Sequence, residues 1–269
     1  MPHNFHPTSL REYDIRGIIG ETLGAEDAYA IGRSFATLLG RAGGKKVAVG
    51  YDGRVSSPML EAALIKGINE SGLDAVSVGM GPTPMLYYAE AVLDDVDGGI
   101  QITGSHNPAN YNGFKMVFQG RPFFGADIQQ LGAMAAAGDW AEGAGSASSF
   151  DIIDQYVARI AEAAPDKPFR IAWDTGNGAA GPVVERLVKL LPGEHYTLFT
   201  EVDGNFPNHH PDPTEEKNLV DLKRLVAEKQ LDFGLAFDGD GDRIGAIDGQ
   251  GRVIWGDQLL QIFAEDVLA

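Results

Sequence analysis

Short apolar runs alternate with helix-like stretches along most of this chain, and that alternation limits the possible fold more than any other feature. Residues 46–50 read as a buried strand. A helix follows near Ser57 and Pro58, with serine as its cap and proline in its first turn. Residues 75–78 predict a second strand and 83–93 a helix. Residues 99–103 and 114–118 predict two more strands, the first running into Gly104-Ser105-His106-Asn107-Pro108. The stretch 138–149 is rich in small residues and poor in apolar anchors, so a domain boundary is expected there. The pattern then restarts with helix 152–163, strand 169–173, helix 179–191, strand 196–200, helix 216–229 and strand 232–237. Residues 244–247 and 252–254 flank Asp248-Gly-Gln-Gly, a hairpin signal, and 257–268 reads as helical. Ending inside an amphipathic helix predicts that more protein follows. The fold class expected is α/β: two consecutive domains with mixed, mostly parallel sheets flanked by helices.

The 269 residues suffice for two ordinary domains with their own cores, and 35 glycines suit a protein with many turns. A net charge of −17 argues against nucleic acid and anionic membrane as partners, but leaves small phosphorylated substrates open. The absence of cysteine excludes disulfides and thiol chemistry and is compatible with a cytoplasmic location. The first residues lack the basic region and apolar core of a secretory signal, and no apolar run approaches a membrane span, so a soluble protein is expected.

Asp238-Gly-Asp-Gly-Asp242-Arg243 carries the strongest chemical signal. It lies between two strand-like runs, so its acids at alternate positions can point into one space while the glycines permit the turn. Carboxylates held that close repel by several kcal/mol per pair, at about 4 Å and an effective dielectric near 20. A hard divalent cation is expected among them, with Mg2+ first when a phosphate supplies another oxygen. An EF-hand is excluded, because its sixth position would be Arg243 and its twelfth Gly249.

Other motifs leave alternatives open. Ser105 beside His106 invites a hydrolase reading, but no G-x-S-x-G elbow surrounds the serine, and neighbours in an extended loop usually point apart. Gly176, Gly178 and Gly181 fit a dinucleotide fingerprint, with Glu201 near the position of a ribose-binding acid. The same glycines also suit a turn made for close packing. His209-His210 lacks a convincing set of further zinc ligands, and a rigid proline-rich loop is the simpler reading. Gly44-Lys45 lacks the remaining residues of a P-loop.

Four stretches together resemble the α-D-phosphohexomutase superfamily, in its bacterial phosphomannomutase/phosphoglucomutase branch. They are Glu12-Tyr-Asp-Ile-Arg-Gly17, Thr103-Gly-Ser-His-Asn-Pro108, Gly113-Phe-Lys115 and Asp238-Gly-Asp-Gly-Asp-Arg243, in the family's order. Asp174-Thr-Gly-Asn-Gly178 and the loop 203–213 are similar to that family as well. The resemblance covers two of four family domains, with expected limits 1–148 (phosphoserine loop) and 149–256 (metal loop). Residues 257–269 would be the lead-in helix of a third domain. The domains beyond would be the missing partners within the same polypeptide.

The resemblance implies that Ser105 carries a phosphoryl group and that its phosphate, with Asp238, Asp240 and Asp242, binds Mg2+. Phosphoserine would donate to a hexose phosphate, giving a bound 1,6-bisphosphate, and would recover the other phosphate after that intermediate reorients. Glucose 1,6-bisphosphate is the implied activator. Lys115 and His106 are implied for acid/base work, Arg16 as a further catalytic residue, and Tyr13 and Arg243 for binding the phosphate region. The expectation is a chain that holds phosphate and Mg2+ but turns over mannose or glucose phosphates poorly on its own. The competing readings are an NAD(P)-binding oxidoreductase domain using Gly176 to Gly181, and a non-catalytic fragment that binds metal and phosphate.

Overall fold

A computed structural model describes residues 2–268. The chain forms two compact units that divide between Ile153 and Asp154. Among the described residues no helix is long and apolar enough to cross a membrane.

The first unit contains β1 (Ile15–Ile18), α1 (Ala25–Arg41), β2 (Lys46–Tyr51), α2 (Ser57–Glu70), β3 (Asp74–Met80), α3 (Thr83–Val92), β4 (Gly98–Ile102), β5 (Tyr111–Phe118), β6 (Arg121–Pro122), α4 (Ala126–Ala137) and β7 (Ala147–Ser149). Its sheet has the order β1-β5-β4-β2-β3-β7, with β6 paired to β5. Strands joined by crossover helices, β2 with β3 and β4, pair parallel. β5 follows β4 through a loop without a helix, so the chain reverses and pairs antiparallel with both β4 and β1. The small-residue stretch 138–149 contributes an edge strand to this sheet, because β7 pairs parallel with β3.

The second unit begins with α5 (Ile153–Ala161), β8 (Phe169–Asp174), α6 (Gly181–Leu187) and β9 (Gly193–Leu198). A 3-10 turn (Glu216–Leu219) then leads into α7 (Val220–Lys229), β10 (Phe233–Phe237), β11 (Ile244–Asp248), β12 (Val253–Ile254) and α8 (Gly256–Leu268). Its sheet has the order β12-β11-β10-β8-β9, parallel in the β10-β8-β9 portion and antiparallel through the β10–β11 and β11–β12 pairings. α6 is shorter at both ends than the helix expected at 179–191, and Ala179, just before it, donates its N–H to Gly239 O.

The serine cap expected for α2 is a correction. Ser57 is the first helical residue, Ser56 holds the cap position, and neither side chain caps the helix. Ser57 Oγ instead donates to the buried Asp52 carboxylate at 2.8 Å, a charge-assisted bond.

The core of the first unit lies between the sheet and its helices. Val47, Ala48 and Val49 of β2 are fully buried, as a central strand covered on both faces must be. Phe35 of α1, also fully buried, meets Phe118 and Phe123 edge-on at centroid distances of 5.7 and 5.5 Å. Truncating such a ring removes its transfer free energy and leaves a cavity. Phe35→Ala is therefore expected to destabilise the protein by about 3–5 kcal/mol in denaturant unfolding followed by circular dichroism.

Candidate active site

The Ser105 loop sits at the carboxyl end of β4, the edge at which open α/β sheets bind ligands. Ser105 is buried and adopts φ +49°, a left-handed conformation uncommon for serine. That turn brings neighbouring side chains together instead of splaying them, contrary to the extended loop expected from sequence: Ser105 Oγ lies 3.3 Å from His106 Nδ1. Arg16 of β1 is buried, donates to Gly104 O at 3.4 Å and pairs with Asp14. Its Nε is buried without an acceptor among the described residues. Arg16 is in register with Gly113, and Lys115 lies two residues further along β5, so the sheet places both cations on one face. Tyr13 is exposed, with its ring stacked on Phe124 at 6.4 Å.

Two residues that the motifs did not single out hold this loop. Asp52 and Arg54 follow β2 directly and are both buried, with Asp52 Oδ2 3.0 Å from Arg54 Nε. Asp52 also accepts from Thr103 Oγ1 at 2.9 Å and from the Gly104 N–H at 3.0 Å. Arg54 reaches across to Ser105 O and Asn107 O, each at 2.7 Å, and to Pro108 O and Tyr111 O at 2.6 and 2.9 Å. A Cβ on Gly104 would lie 2.4 Å from the Arg54 guanidinium carbon, so only glycine fits there. Asp-x-Arg at a strand's carboxyl end was the available signal, but it reads equally as an exposed turn.

In the second unit the acidic turn does what its spacing predicts. Ligand atoms of Asp238, Asp240 and Asp242 all lie within 4.8 Å of one another, the first two residues buried and the third exposed. Asp238 Oδ1 accepts the N–H groups of Asp242 and Arg243, each at 3.1 Å, so this carboxylate also shapes the turn. Two ionised carboxylates 4.8 Å apart repel by about 3.5 kcal/mol at an effective dielectric near 20. All-oxygen donors without cysteine or histidine suit a hard divalent cation. Arg243 is exposed beside them.

The glycine-rich turn after β8 supports that loop. A Cβ on Gly178 would lie 2.9 Å from Gly239 O, and one on Gly176 would lie 3.1 Å from the Pro211 side chain. The turn is thus packed between the acidic loop and the loop 203–213. His209 serves that packing: its Nε2 lies 3.0 Å from Asp174 Oδ2, while Asp174 Oδ1 accepts the Gly176 N–H at 2.9 Å. Burial opposes charge on His209, but the Asp174 carboxylate and the His210 carbonyl outweigh it and hold its pKa above the ordinary value.

Two outcomes follow from this packing. Gly178→Ala forces the Gly239 backbone aside and is expected to destabilise the fold by about 1–3 kcal/mol. It should also weaken binding of a divalent cation, as read by calorimetric titration. For His209, a folded pKa above the unfolded value of about 6.5 gives stability that is fully present below that pH. That stability is lost as pH rises through the folded value. Melting temperatures from about pH 5.5 to about pH 9 should fall more steeply for the native chain than for His209→Gln.

Nearly the whole of this chain matches known proteins, while the matched proteins are covered to 57–59% of their own length. The family described as phosphoglucomutase/phosphomannomutase, alpha/beta/alpha domain I, matches residues 7–142, and its domain II matches residues 153–251. A phosphomannomutase/phosphoglucomutase of Pseudomonas aeruginosa is 46% identical over 98% of this chain and 57% of its own length. A phosphoglucomutase of Neisseria gonorrhoeae is 44% identical over 96% of this chain and 57% of its own length. The crystal structure of a phosphoglucomutase/phosphomannomutase family protein from Burkholderia thailandensis superposes with a TM-score of 0.95 at 44% identity, covering 98% of this chain and 59% of that one. The chain therefore spans 57% of the length of these curated relatives. With both family domains matched in order, it belongs to the phosphoglucomutase/phosphomannomutase family.

Proposed function

We propose that this chain carries the phosphoryl-transfer machinery of a hexose-phosphate mutase that interconverts 1-phosphates and 6-phosphates of glucose or mannose. The observation that carries the reading is the convergence of Asp238, Asp240 and Asp242 within 4.8 Å, in a chain whose relatives are named for that reaction. Ser105 holds the phosphoryl group. In the first transfer the Ser105 Oγ–P bond breaks and a bond forms from phosphorus to a hydroxyl oxygen of the bound hexose monophosphate. The hydroxyl's proton passes to a basic side chain, with His106 and Lys115 as the candidates. The sugar bisphosphate reorients, its other phosphate returns to Ser105 Oγ, and the proton returns to the oxygen released. Arg16 offers its buried Nε, and Tyr13 and Arg243 their polar ends, to phosphate oxygens. The three aspartates hold Mg2+, which when bound supplies positive charge against the charge of the transferring group. Glucose 1,6-bisphosphate acts as activator by loading Ser105. A cytoplasmic location, where sugar phosphates are found, fits this chemistry.

Intact-mass measurement after exposure to glucose 1,6-bisphosphate tests the assignment. The native chain should gain the mass of one phosphoryl group and Ser105→Ala none, while Asp240→Asn should lose Mg2+ binding in calorimetric titration. An adduct that persists in the alanine variant would exclude Ser105 as the carrier.

A further inference from the structure

We infer that the buried Asp52–Arg54 pair is a positioning device for Ser105, setting the backbone geometry from which its hydroxyl works. The part that concerns phosphoryl transfer rests on the reading of Ser105 as the phosphoryl carrier; the part that concerns loop order does not.

The argument begins with donors. Arg54 has five N–H groups, and five oxygens receive them: Asp52 Oδ2 and the carbonyls of Ser105, Asn107, Pro108 and Tyr111. Three of those acceptors belong to one loop and the fourth, Tyr111, opens the strand that follows it, all more than fifty residues away in sequence. Asp52 grips the same loop from its other end through Thr103 Oγ1 and the Gly104 N–H. Thr103 Oγ1 in turn accepts the Ser105 N–H at 2.8 Å. Ser105 is therefore held on both sides: its N–H reaches Asp52 through Thr103, and its C=O is bound by Arg54 directly. A non-glycine residue at φ +49° persists only where its surroundings over-determine it, and these bonds do so. The bonds from the pair to this loop reach its backbone and the Thr103 hydroxyl, while Asp52 also accepts from Ser57 Oγ at the start of α2, and this pattern is that of a positioning device. Lysine cannot replace the arginine, because three donors on one nitrogen cannot span carbonyls spread along Ser105 to Tyr111.

Arg54→Lys in the full chain provides the test, with two readouts. In hydrogen exchange, amides of residues 104–111 should exchange at least about tenfold faster than in the native chain, while β2, β4 and α1 keep their protection. The rate at which glucose 1,6-bisphosphate phosphorylates Ser105, followed by intact mass, should fall at least about tenfold. Unchanged exchange in the loop overturns the inference, and so does protection lost evenly across the first unit, which marks an ordinary core ion pair. A loop that opens while phosphorylation keeps its native rate overturns it as well. Failure of the native chain to take up phosphate refutes the phosphoserine reading instead, and the exchange readout then decides the positioning role alone. Should Arg54→Lys not fold, Asp52→Asn carries the same two measurements. If neither variant folds, the pair is a general stability element and the inference falls.

Discussion

A guanidinium buried beneath the Ser105 loop, facing one carboxylate and four carbonyls, is the interaction on which the first unit's site depends. Two charges taken out of water are tolerated only when nearly every donor and acceptor finds a partner. Here the partners come from the carboxyl ends of β2 and β4 and the start of β5, three adjacent strands. Satisfying the pair therefore ties those ends together. Removing either partner would leave the other charge buried and uncompensated, a cost of about 3–5 kcal/mol in comparable cases. The same geometry explains the glycine at 104, which lies against the face of the guanidinium.

The second unit supports its acidic loop through close backbone contact. Asp238 is both a ligand of the acidic group and an acceptor for the turn that follows it. The loop's underside rests on Gly178, where backbone meets backbone. The histidine loop then closes over the glycine turn through His209 and Asp174. A motif that resembles a cofactor fingerprint thus works as a support, with Gly178 against the Gly239 backbone and Gly176 against Pro211.

Much of this was legible in the residues. The apolar runs at β2, β4 and β8 stand out because strands covered on both faces need continuous apolar character. Asp238 to Arg243 stood out because carboxylates at alternate positions, spaced by glycine, call for a cation, whereas Thr103 to Pro108 gained its meaning only in company with the other three stretches. α1 gave no comparable signal: Gly32, Arg33, Ser34 and Thr37 are among its buried residues, so polar and small side chains interrupt the apolar stripe. α4 is alanine-rich and equally quiet. Asp52 and Arg54 were illegible for a different reason. Their partners lie far along the chain, and a polar Asp-Gly-Arg after a strand looks like any solvated turn.

By itself the sequence determined the α/β alternation, the acidic turn, the serine loop and the family they resemble, since each strand, helix and motif is local and the family follows from the order of the motifs. Only the tertiary structure decided that β5 runs antiparallel, that Ser105 turns toward His106, and that Gly178 carries the acidic loop. It also decided that an aspartate and an arginine outside every motif hold the serine loop in place. Those outcomes depend on which distant backbone atoms meet a buried charge or a missing side chain, and local spacing does not encode such meetings.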